Sequence, residues 1–318
     1  MIYSEIKNLV DEDIAILVSF DNHPYQYLCE CGQASKLSVK EIQQCKAIFI
    51  SHTHIDHFIN FDSVLRHQIG TQNHVVIAGP PELAKQVQAK LKAYTWNLVS
   101  ADAIHYEVRE VHENHRIKRY RLLPPFWELE ALSEEIGTPL YETDKFEVAA
   151  VLLDHKTPSM AYKFKEKDSV QIHLEKSEFR GGPWIKTLKE AFVANLPNTP
   201  IQVNGRSYKA FELYNLLTIK EGMSLGVIMD HASSAANHRK IAEIFTGTTK
   251  VYIESFYLEQ DRDLAEKNYH SYTKASASIM NTCGIHTAIP VHFSRKYNAT
   301  EITALKNEFQ QYLQQKTP

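Results

Sequence analysis

Short apolar runs separated by polar turns predict a strand-rich first half of the chain. Such runs, bounded by turn-forming residues, are typical of strands, whereas apolar residues at helical spacing indicate helices. The pattern predicts strands at 14–20, 26–31, 47–50, 75–78, 104–109, 116–123 and 146–153. It predicts helices at 38–44, with Ser38 as N-cap, at 58–69, and from Gly79-Pro-Pro81 through Lys92.

The second half alternates strands and helices. Strands are predicted at 160–165, 225–229, 251–254 and 287–291, and helices at 238–245, 271–282 and 300–314. The looser stretch 166–215 holds a short helix ending at Ala191 and a hairpin at Asn204-Gly205. Two mixed sheets covered by outer helices account for this order better than a doubly wound parallel sheet.

The composition is that of an ordinary globular protein. The chain has 318 residues, 43% apolar and 23% charged, with a net charge of -3, which excludes disorder and binding by bulk positive charge. No apolar stretch is long enough to cross a membrane, and the first residues lack a signal-peptide pattern. Four scattered cysteines fit a reducing compartment, so a cytoplasmic location is expected.

Histidine is unusually frequent, with 16 residues, and the densest cluster is His52-Thr-His54-Ile-Asp56-His57, directly after an apolar strand. His52 and His54 can converge on one ion, while Asp56 and His57 can reach a second. Imidazole nitrogens and carboxylate oxygens are ligands that Zn2+ prefers, and Mn2+ or Fe2+ accept them too. The motif therefore predicts a zinc site with two ions.

This motif matches the HxHxDH signature of the metallo-β-lactamase fold, and the chain most resembles ribonuclease Z, a tRNA 3′-processing family. Further segments match that family in order: Tyr27–Gln33, Ile77–Pro81, Leu153–His155 with Ala161–Lys163, Ile228–Asp230, Ile253–Phe256, His270–Thr273 and Val291–Tyr297. The resemblance implies an α/β fold, an αββα sandwich of two mixed sheets with helices on the outer faces. It implies one domain, 1–318, with an inserted arm at about 166–215 and an insertion of unknown role at 93–145.

The resemblance also implies the ligands. One metal would be held by His52, His54 and His155, the other by Asp56, His57 and His292, and Asp230 would bridge them. Without the resemblance, His155 is equally well explained as a hydrogen-bonded polar residue at a strand end. His231 is an alternative ligand to its neighbour Asp230.

A metal-bridging hydroxide would then attack a phosphodiester, since paired ions can activate a water and clamp both reacting oxygens. Asp56 would take part in catalysis, His270 would protonate the leaving oxygen, and Glu254 would orient His270. The structural alternative is that Glu254 is an ordinary strand-end carboxylate and His270 a surface residue.

The arm is the expected RNA contact. Residues 163–189 carry seven Lys and Arg against four carboxylates, and they resemble the segment with which ribonuclease Z grips tRNA. Arg180, Lys186 and Lys189, together with Ser294 and Arg295 of the last motif, are the implied substrate contacts. A solvated surface loop is the alternative. The family also suggests a homodimer, with Phe58–Ile69 as a contact helix.

The chain departs from the family where substrate would be held. It has no Gly-rich N-terminal turn, Glu30 replaces an Asp, Gly181-Gly182 replaces Pro-Gly, and 93–145 has no counterpart. Two alternatives to an endoribonuclease therefore stay open. One is a hydrolase of the same fold acting on a small-molecule ester, thioester, lactone or cyclic nucleotide. The other is a non-catalytic, metal-containing RNA- or protein-binding module.

Overall fold

The computed structural model describes residues 1–137 and 139–315. Thr138, within the segment 93–145, lies outside the described residues. The chain divides into two compact units, the first comprising Met1–Lys165 and Met223–Pro318 and the second Glu166–Gly222. No helix in the described ranges is both long enough and apolar enough to span a membrane.

The strands in chain order are β1 Ile2–Ile6, β2 Ile16–Phe20, β3 Gln26–Cys29, β4 Cys45–Phe49, β5 His74–Gly79, β6 His105–His112, β7 Arg116–Leu122, β8 Glu130–Ile136, β9 Tyr141–Glu142, β10 Phe146–Asp154, β11 Pro158–Glu166, β12 Ser169–Ile172, β13 Pro200–Val203, β14 Arg206–Lys209, β15 Leu217–Lys220, β16 Ser224–Ile228, β17 Lys250–Glu254 and β18 Ala288–Val291. The α-helices are α1 Val39–Gln44, α2 Ile55–Phe58, α3 Phe61–Gln68, α4 Leu83–Lys92, α5 Trp184–Val193, α6 Ala235–Phe245, α7 Arg262–Asn268, α8 Thr273–Thr282 and α9 Ala299–Gln314.

Two mixed sheets form the centre of the first unit. One has eight strands in the order β1 to β8, with β3 to β6 parallel to one another and the outer strands antiparallel. The other has the order β18-β17-β16-β11-β10-β9, with β16, β17 and β18 parallel. Residues 105–136, within the segment 93–145, thus supply three strands of the first sheet.

Side-chain alternation along β4 shows how the layers form. Ile48 packs in the cluster beneath α1, α3 and α4, whereas its neighbour Phe49 packs between the sheets. There Phe49 meets Tyr162 and Phe164 of β11, with ring centroids 5.3 and 5.1 Å apart. A third cluster packs β16 and β17 against α6, α8 and α9. The predicted αββα sandwich is confirmed.

Local signals set several helix starts. Ser38 caps α1 in a reciprocal capping box with Glu41, as predicted, and Asn298 does the same for α9 with Glu301. The predicted helix 58–69 is instead two helices, α2 and α3. They are separate because the backbone N–H of Cys31 donates to the carbonyl of His57, and the carbonyl of Cys31 accepts the N–H of Asn60. These two bonds turn the chain between α2 and α3.

The second unit has its own small core. β12 pairs with β15 and β13 with β14, and Trp184, Leu188 and Ile201 are buried among their neighbours. Asn204 and Gly205 both adopt a left-handed backbone, with φ of 51° and 79°, as a two-residue hairpin turn requires.

Candidate metal centre

The structure brings the seven predicted ligands together from sequence positions far apart. His52 and His54 follow β4, Asp56 and His57 lie on α2, and the other three, His155, Asp230 and His292, directly or almost directly follow β10, β16 and β18. A site at the ends of several strands needs no long loops, because each strand end delivers a side chain to the same edge of the sheets.

Two ligand sets share one carboxylate. Donor atoms of His52, His54, His155 and Asp230 lie within 4.8 Å of one another, as do those of Asp56, His57 and His292. One oxygen of Asp230 lies 3.4 Å from His155 Nε2 and 3.8 Å from His52 Nε2. Its other oxygen lies 3.3 Å from His57 Nε2 and 2.8 Å from His292 Nδ1. Asp230 therefore faces both sets.

Several buried polar atoms at this point make no well-oriented hydrogen bond within the described part of the chain, although Asp230 Oδ1 and His292 Nδ1 lie 2.8 Å apart. These atoms are His52 Nε2, His57 Nε2, Asp230 Oδ1 and His292 Nδ1. A buried unpaired polar group costs about 1–3 kcal/mol, so their convergence needs a compensating ligand. Nitrogen and carboxylate donors suit a divalent cation such as zinc, so the residues present fit a metal.

In three of the histidines, the Nδ1 atom already has a hydrogen-bond partner outside the shared site. Nδ1 of His52 lies 3.1 Å from Ser51 Oγ, and Nδ1 of His57 lies 2.9 Å from a carboxylate oxygen of Glu30. Nδ1 of His155 donates to the carbonyl of Tyr269 at 2.6 Å. Each bond orients the ring and leaves Nε2 for the shared site, as is usual for metal-binding histidines.

His52 differs in charge state from His57 and His292. Burial lowers the pKa of His52 to about 2, so this ligand is neutral. Burial also opposes the charged form of His57, but Asp230 and Glu30 outweigh it and raise the pKa of His57 to about 10. The pKa of His292 is raised for the same reason, mainly by Asp230. A cation binding there must displace protons.

Glu254 and His270 form a pair beside Asp230. His270 Nδ1 donates to Glu254 Oε1, and the other carboxylate oxygen accepts the backbone N–H of Ser271 at 3.0 Å and of His231 at 3.3 Å. Burial lowers the pKa of His270, but the charge of Glu254 outweighs it, so the net pKa is raised. With Asp230 and His292, the pair forms a third group of donors within 4.8 Å. Because Glu254 already accepts three hydrogen bonds, an orienting role suits it better than metal binding.

His231 is turned away from the ligand sets. Its Nδ1 donates to the carbonyl of Met229 at 2.8 Å, and it belongs to none of the donor groups found among the described residues. Asp230 is therefore the better candidate of the two neighbours.

No protein-family model matches the sequence. The chain is 28% identical over 305 residues to ribonuclease Z from Deinococcus radiodurans, covering 91% of this chain and 89% of the relative. The structure is similar to human tRNase Z, short form (TM-score 0.56, 15% identity, 93% of this chain and 94% of that one). It is also similar to the metallo-β-lactamase fold protein YhfI from Bacillus subtilis (TM-score 0.58, 10% identity, 98% and 92%). The chain has the metallo-β-lactamase fold.

The chain is similar to ribonuclease Z over 91% of its length and has the metallo-β-lactamase fold. It is therefore a metal-dependent hydrolase. The sequence resemblance and the enzyme class predicted from it are confirmed.

The predicted substrate contacts of this metallo-β-lactamase-fold hydrolase lie in different places. Ser294 is buried and Arg295 exposed, and both line a cavity of about 1200 Å3 that Asp56 and His292 also line. Arg180, Lys186 and Lys189 lie in the second unit, at and just before α5.

The charge of the arm is lower than the segment 163–189 indicates. Glu166–Gly222 has eight Lys and Arg against seven carboxylates. Lys163 lies in β11 and donates to the carbonyl of Ile244 at 2.8 Å, so its charge is engaged within the first unit.

Glu30 and Ser51 support the site but were not recognised as such from the sequence. Glu30 is completely buried and directly follows β3, with φ of 66°. It accepts both the N–H and the hydroxyl of Ser51 at 3.0 Å. The only sequence signal was that Glu30 aligns with a family Asp.

Proposed function

We propose that the chain is an endoribonuclease of the ribonuclease Z type that cleaves tRNA precursors at the 3′ end. The observation that carries this proposal is the convergence of two histidine–carboxylate sets on one shared aspartate. Full-length similarity to ribonuclease Z and the structural likeness to tRNase Z support the substrate.

The proposed centre is dinuclear. His52, His54 and His155 would hold one cation and Asp56, His57 and His292 the other, with Asp230 between them. Zinc is the first candidate, and the same donors accept manganese or iron. When bound, the two cations would supply an activated water and neutralise charge on the phosphate.

The remaining chemistry belongs to the chain's own side chains. The water would first lose a proton to solvent; its oxygen would then join phosphorus, the bond from phosphorus to the leaving oxygen would break, and that oxygen would take a proton from His270. Glu254 holds the His270 ring through Nδ1, and Phe256 stacks on it with centroids 3.8 Å apart. Asp56, whose pKa is lowered by His292 and His57 against the effect of burial, stays ionised near the reacting atoms.

RNA binding is proposed for both units. Lys186 has 84% of its side chain exposed and can meet a phosphate, and Arg180 and Lys189 are its nearest cations in sequence. In the first unit, the side chain of Arg295 is 77% exposed next to the proposed centre. The hydroxyl of Ser294 accepts the backbone N–H of Lys296 and so stabilises the turn that carries Arg295. A cytoplasmic location fits the four buried free cysteines.

The centre is accessible, which suits catalysis better than a purely structural ion. His54 is exposed, and Asp56 and His292 line the large cavity. Structural zinc sites are closed by four protein ligands, whereas catalytic sites keep an open position. This accessibility agrees with a hydrolase and argues against the non-catalytic binding module.

A homodimer is part of the proposal. Most of the apolar side chains of 58–69 are used in the core, including Phe61, Val64 and Leu65. Ile59 of this range is 45% exposed and could contact a second copy, as could Ile55 just before it, which is 73% exposed.

The test combines elemental analysis with cleavage of a tRNA precursor. We expect two metal ions per chain and a single cut at the 3′ end. His54→Ala should lose one ion and the cleavage, whereas the control His286→Ala, an exposed histidine outside the ligand sets, should keep both. If the metal-loaded protein cleaves no tRNA precursor, the assignment of tRNA as substrate is wrong. If it hydrolyses no phosphodiester at all, the assignment as a phosphodiesterase is wrong too.

A further inference from the structure

The loops that carry His155 and Asp230 come from two strands that are not neighbours. His155 directly follows β10 and Asp230 lies just beyond β16, and β11 lies between these strands in the sheet. The hydrogen bonds between neighbouring strands therefore cannot fix one loop against the other. Yet His155 Nε2 and Asp230 Oδ2 lie only 3.4 Å apart. One main-chain bond, from the N–H of Ala232 to the carbonyl of Asp154 at 2.9 Å, links the loops directly.

The side-chain amide of Asn237 bridges the same two loops. Its Oδ1 accepts the N–H of Asp154 at 2.9 Å, and its Nδ2 donates to the carbonyls of Asp154 at 2.8 Å and of Ala232 at 2.9 Å. Asp154 directly precedes His155, and Ala232 is two residues after Asp230. The amide thus pairs with both main-chain groups of Asp154, as a neighbouring strand would, and uses its second N–H for the other loop.

Asn237 lies at a well-anchored point, in the first turn of α6. Ser234 caps that helix by accepting the N–H of Asn237 at 3.2 Å. Farther along the helix, Ile241 and Phe245 are completely buried in the cluster that contains β16 and β17. The side chain of Asn237 is itself buried, so water does not compete for its hydrogen bonds.

The loop of Asp230 is held on both sides of this residue's neighbour His231. The N–H of His231 donates to Glu254 at 3.3 Å, and the carbonyl of Ala232 accepts the amide of Asn237. Among the described residues, Asn237 makes no hydrogen bond to a ligand of the set that contains His292. Its contacts therefore act on one ligand pair, the pair whose loops it joins.

We propose that Asn237 is a positioning residue that sets His155 against Asp230 and so shapes the metal position that His155 serves, called here the first position. The inference rests on the dinuclear centre of the proposed function. Both residues of the pair belong to the first position, whereas the second position, that of His292, shares only Asp230. Loss of the amide should therefore weaken the first position more than the second.

Zinc titration of the metal-free protein, with one position disabled at a time, tests this. His292→Ala removes a ligand of the second position and leaves the first, whereas His155→Ala leaves the second. In the His292→Ala chain, Asn237→Asp should weaken zinc binding about tenfold, the lower end of what loss of an outer partner costs. The reason is that a carboxylate of the same shape turns an oxygen, not an N–H, toward two carbonyls. In the His155→Ala chain the same substitution should change zinc binding far less.

Thr248→Val is the matched control for lost stability. Thr248 is 3% exposed just beyond the other end of α6, and its hydroxyl donates to the carbonyl of Phe245 at 2.6 Å. Thr248→Val and Asn237→Asp should both lower Tm of the metal-free protein, but Thr248→Val should leave zinc binding unchanged in both backgrounds. Asn237→Ala, which removes the amide without adding a charge, should reproduce the selective loss. If Thr248→Val causes the same selective loss, or if neither Asn237 variant folds, Asn237 serves stability alone and the proposal is overturned.

Failure of this inference can be told apart from failure of the proposed function. If the unaltered chain binds two ions and Asn237→Asp affects both backgrounds equally, or neither, positioning by Asn237 is wrong and the metal centre stands. If Asn237→Asp weakens the first position selectively in a protein that hydrolyses no phosphodiester, the inference stands and the proposed function is wrong. An unaltered chain that binds no zinc would overturn both.

Discussion

The carboxylate of Glu30 accepts a hydrogen bond from His57 Nδ1 at 2.9 Å, and it also accepts the hydroxyl of Ser51, whose oxygen meets His52 Nδ1. One buried carboxylate thus orients a histidine in each ligand set. Burial raises the pKa of Glu30, while the hydrogen bonds from His57 and Ser51 oppose the rise. The left-handed backbone at Glu30 aims the side chain under the metal loop, at a cost of roughly 1 kcal/mol.

Glu30→Asp should weaken metal binding although the family has Asp in this position. The shorter side chain cannot reach both His57 and Ser51 from this backbone position. Removal of such an outer partner typically lowers metal affinity by about 10–100-fold. Calorimetric titration of the metal-free protein with zinc should show both sites weakened, and most strongly the site of His57, which Glu30 contacts directly.

Glu147→Asp is the matched control for that titration, because Glu147 is exposed in β10 outside the metal centre. It should bind two ions as the unaltered chain does. Two unchanged binding events in Glu30→Asp would show that Glu30 does not position His57.

The sequence predicted the parts of the site that local signals mark. A histidine-rich run directly after an apolar strand pointed to metal, and the order of the strand-end motifs pointed to His155, Asp230 and His292. Strands with one or two buried faces, such as β4 and β10, were visible in the apolar pattern. In these segments local sequence and tertiary structure agree.

The parts that were missed depend on tertiary contacts. β8 is exposed along nearly its whole length and pairs with β7 through Arg121–Glu130 and Arg119–Glu135, so it has no apolar alternation. The break between α2 and α3 comes from backbone hydrogen bonds to Cys31, which lies in an earlier and separate part of the sequence. No local pattern encodes either feature.

Ile59→Glu should produce monomers if the chain is a dimer through this face. Ile59 is 45% exposed, and a carboxylate on each side of a twofold contact would be desolvated and repelled. Analytical ultracentrifugation measures the change. Ile136→Glu is the control, because Ile136 is 71% exposed at the edge strand β8 and should leave the dimer intact. Sedimentation of the unaltered protein as a monomer at micromolar concentration would reject the dimer itself.

Replacing Lys186 and Lys189 together by alanine should weaken binding of a tRNA precursor. Each phosphate that the protein no longer neutralises should lower the slope of log affinity against log salt by about 1. We expect KM for the precursor to rise about tenfold at physiological salt, with a flatter salt dependence. The control is Lys145→Ala, an exposed lysine of the first unit. An unchanged salt slope in the double variant would remove α5 from the RNA interface.

Glu254→Gln should shift the pH profile of hydrolysis. Glu254 raises the pKa of His270 against the opposing effect of burial, so His270 remains protonated to a higher pH than a free imidazole. A general acid works only while protonated, so kcat/KM falls as pH rises through the pKa of His270. Without the carboxylate, burial lowers that pKa, and the descending limb should move to lower pH.

The leaving group decides how large this effect is. Alkoxide departure from a tRNA precursor needs the proton, and a general acid contributes about 10²–10⁴-fold. p-Nitrophenolate leaves without help, so Glu254→Gln should lower cleavage of the precursor far more than hydrolysis of bis-p-nitrophenyl phosphate. Zinc content is measured alongside, because Glu254 and His270 also lie within reach of Asp230. Loss of an ion from Glu254→Gln, with equal decreases in activity on both substrates, would instead assign this pair to metal binding.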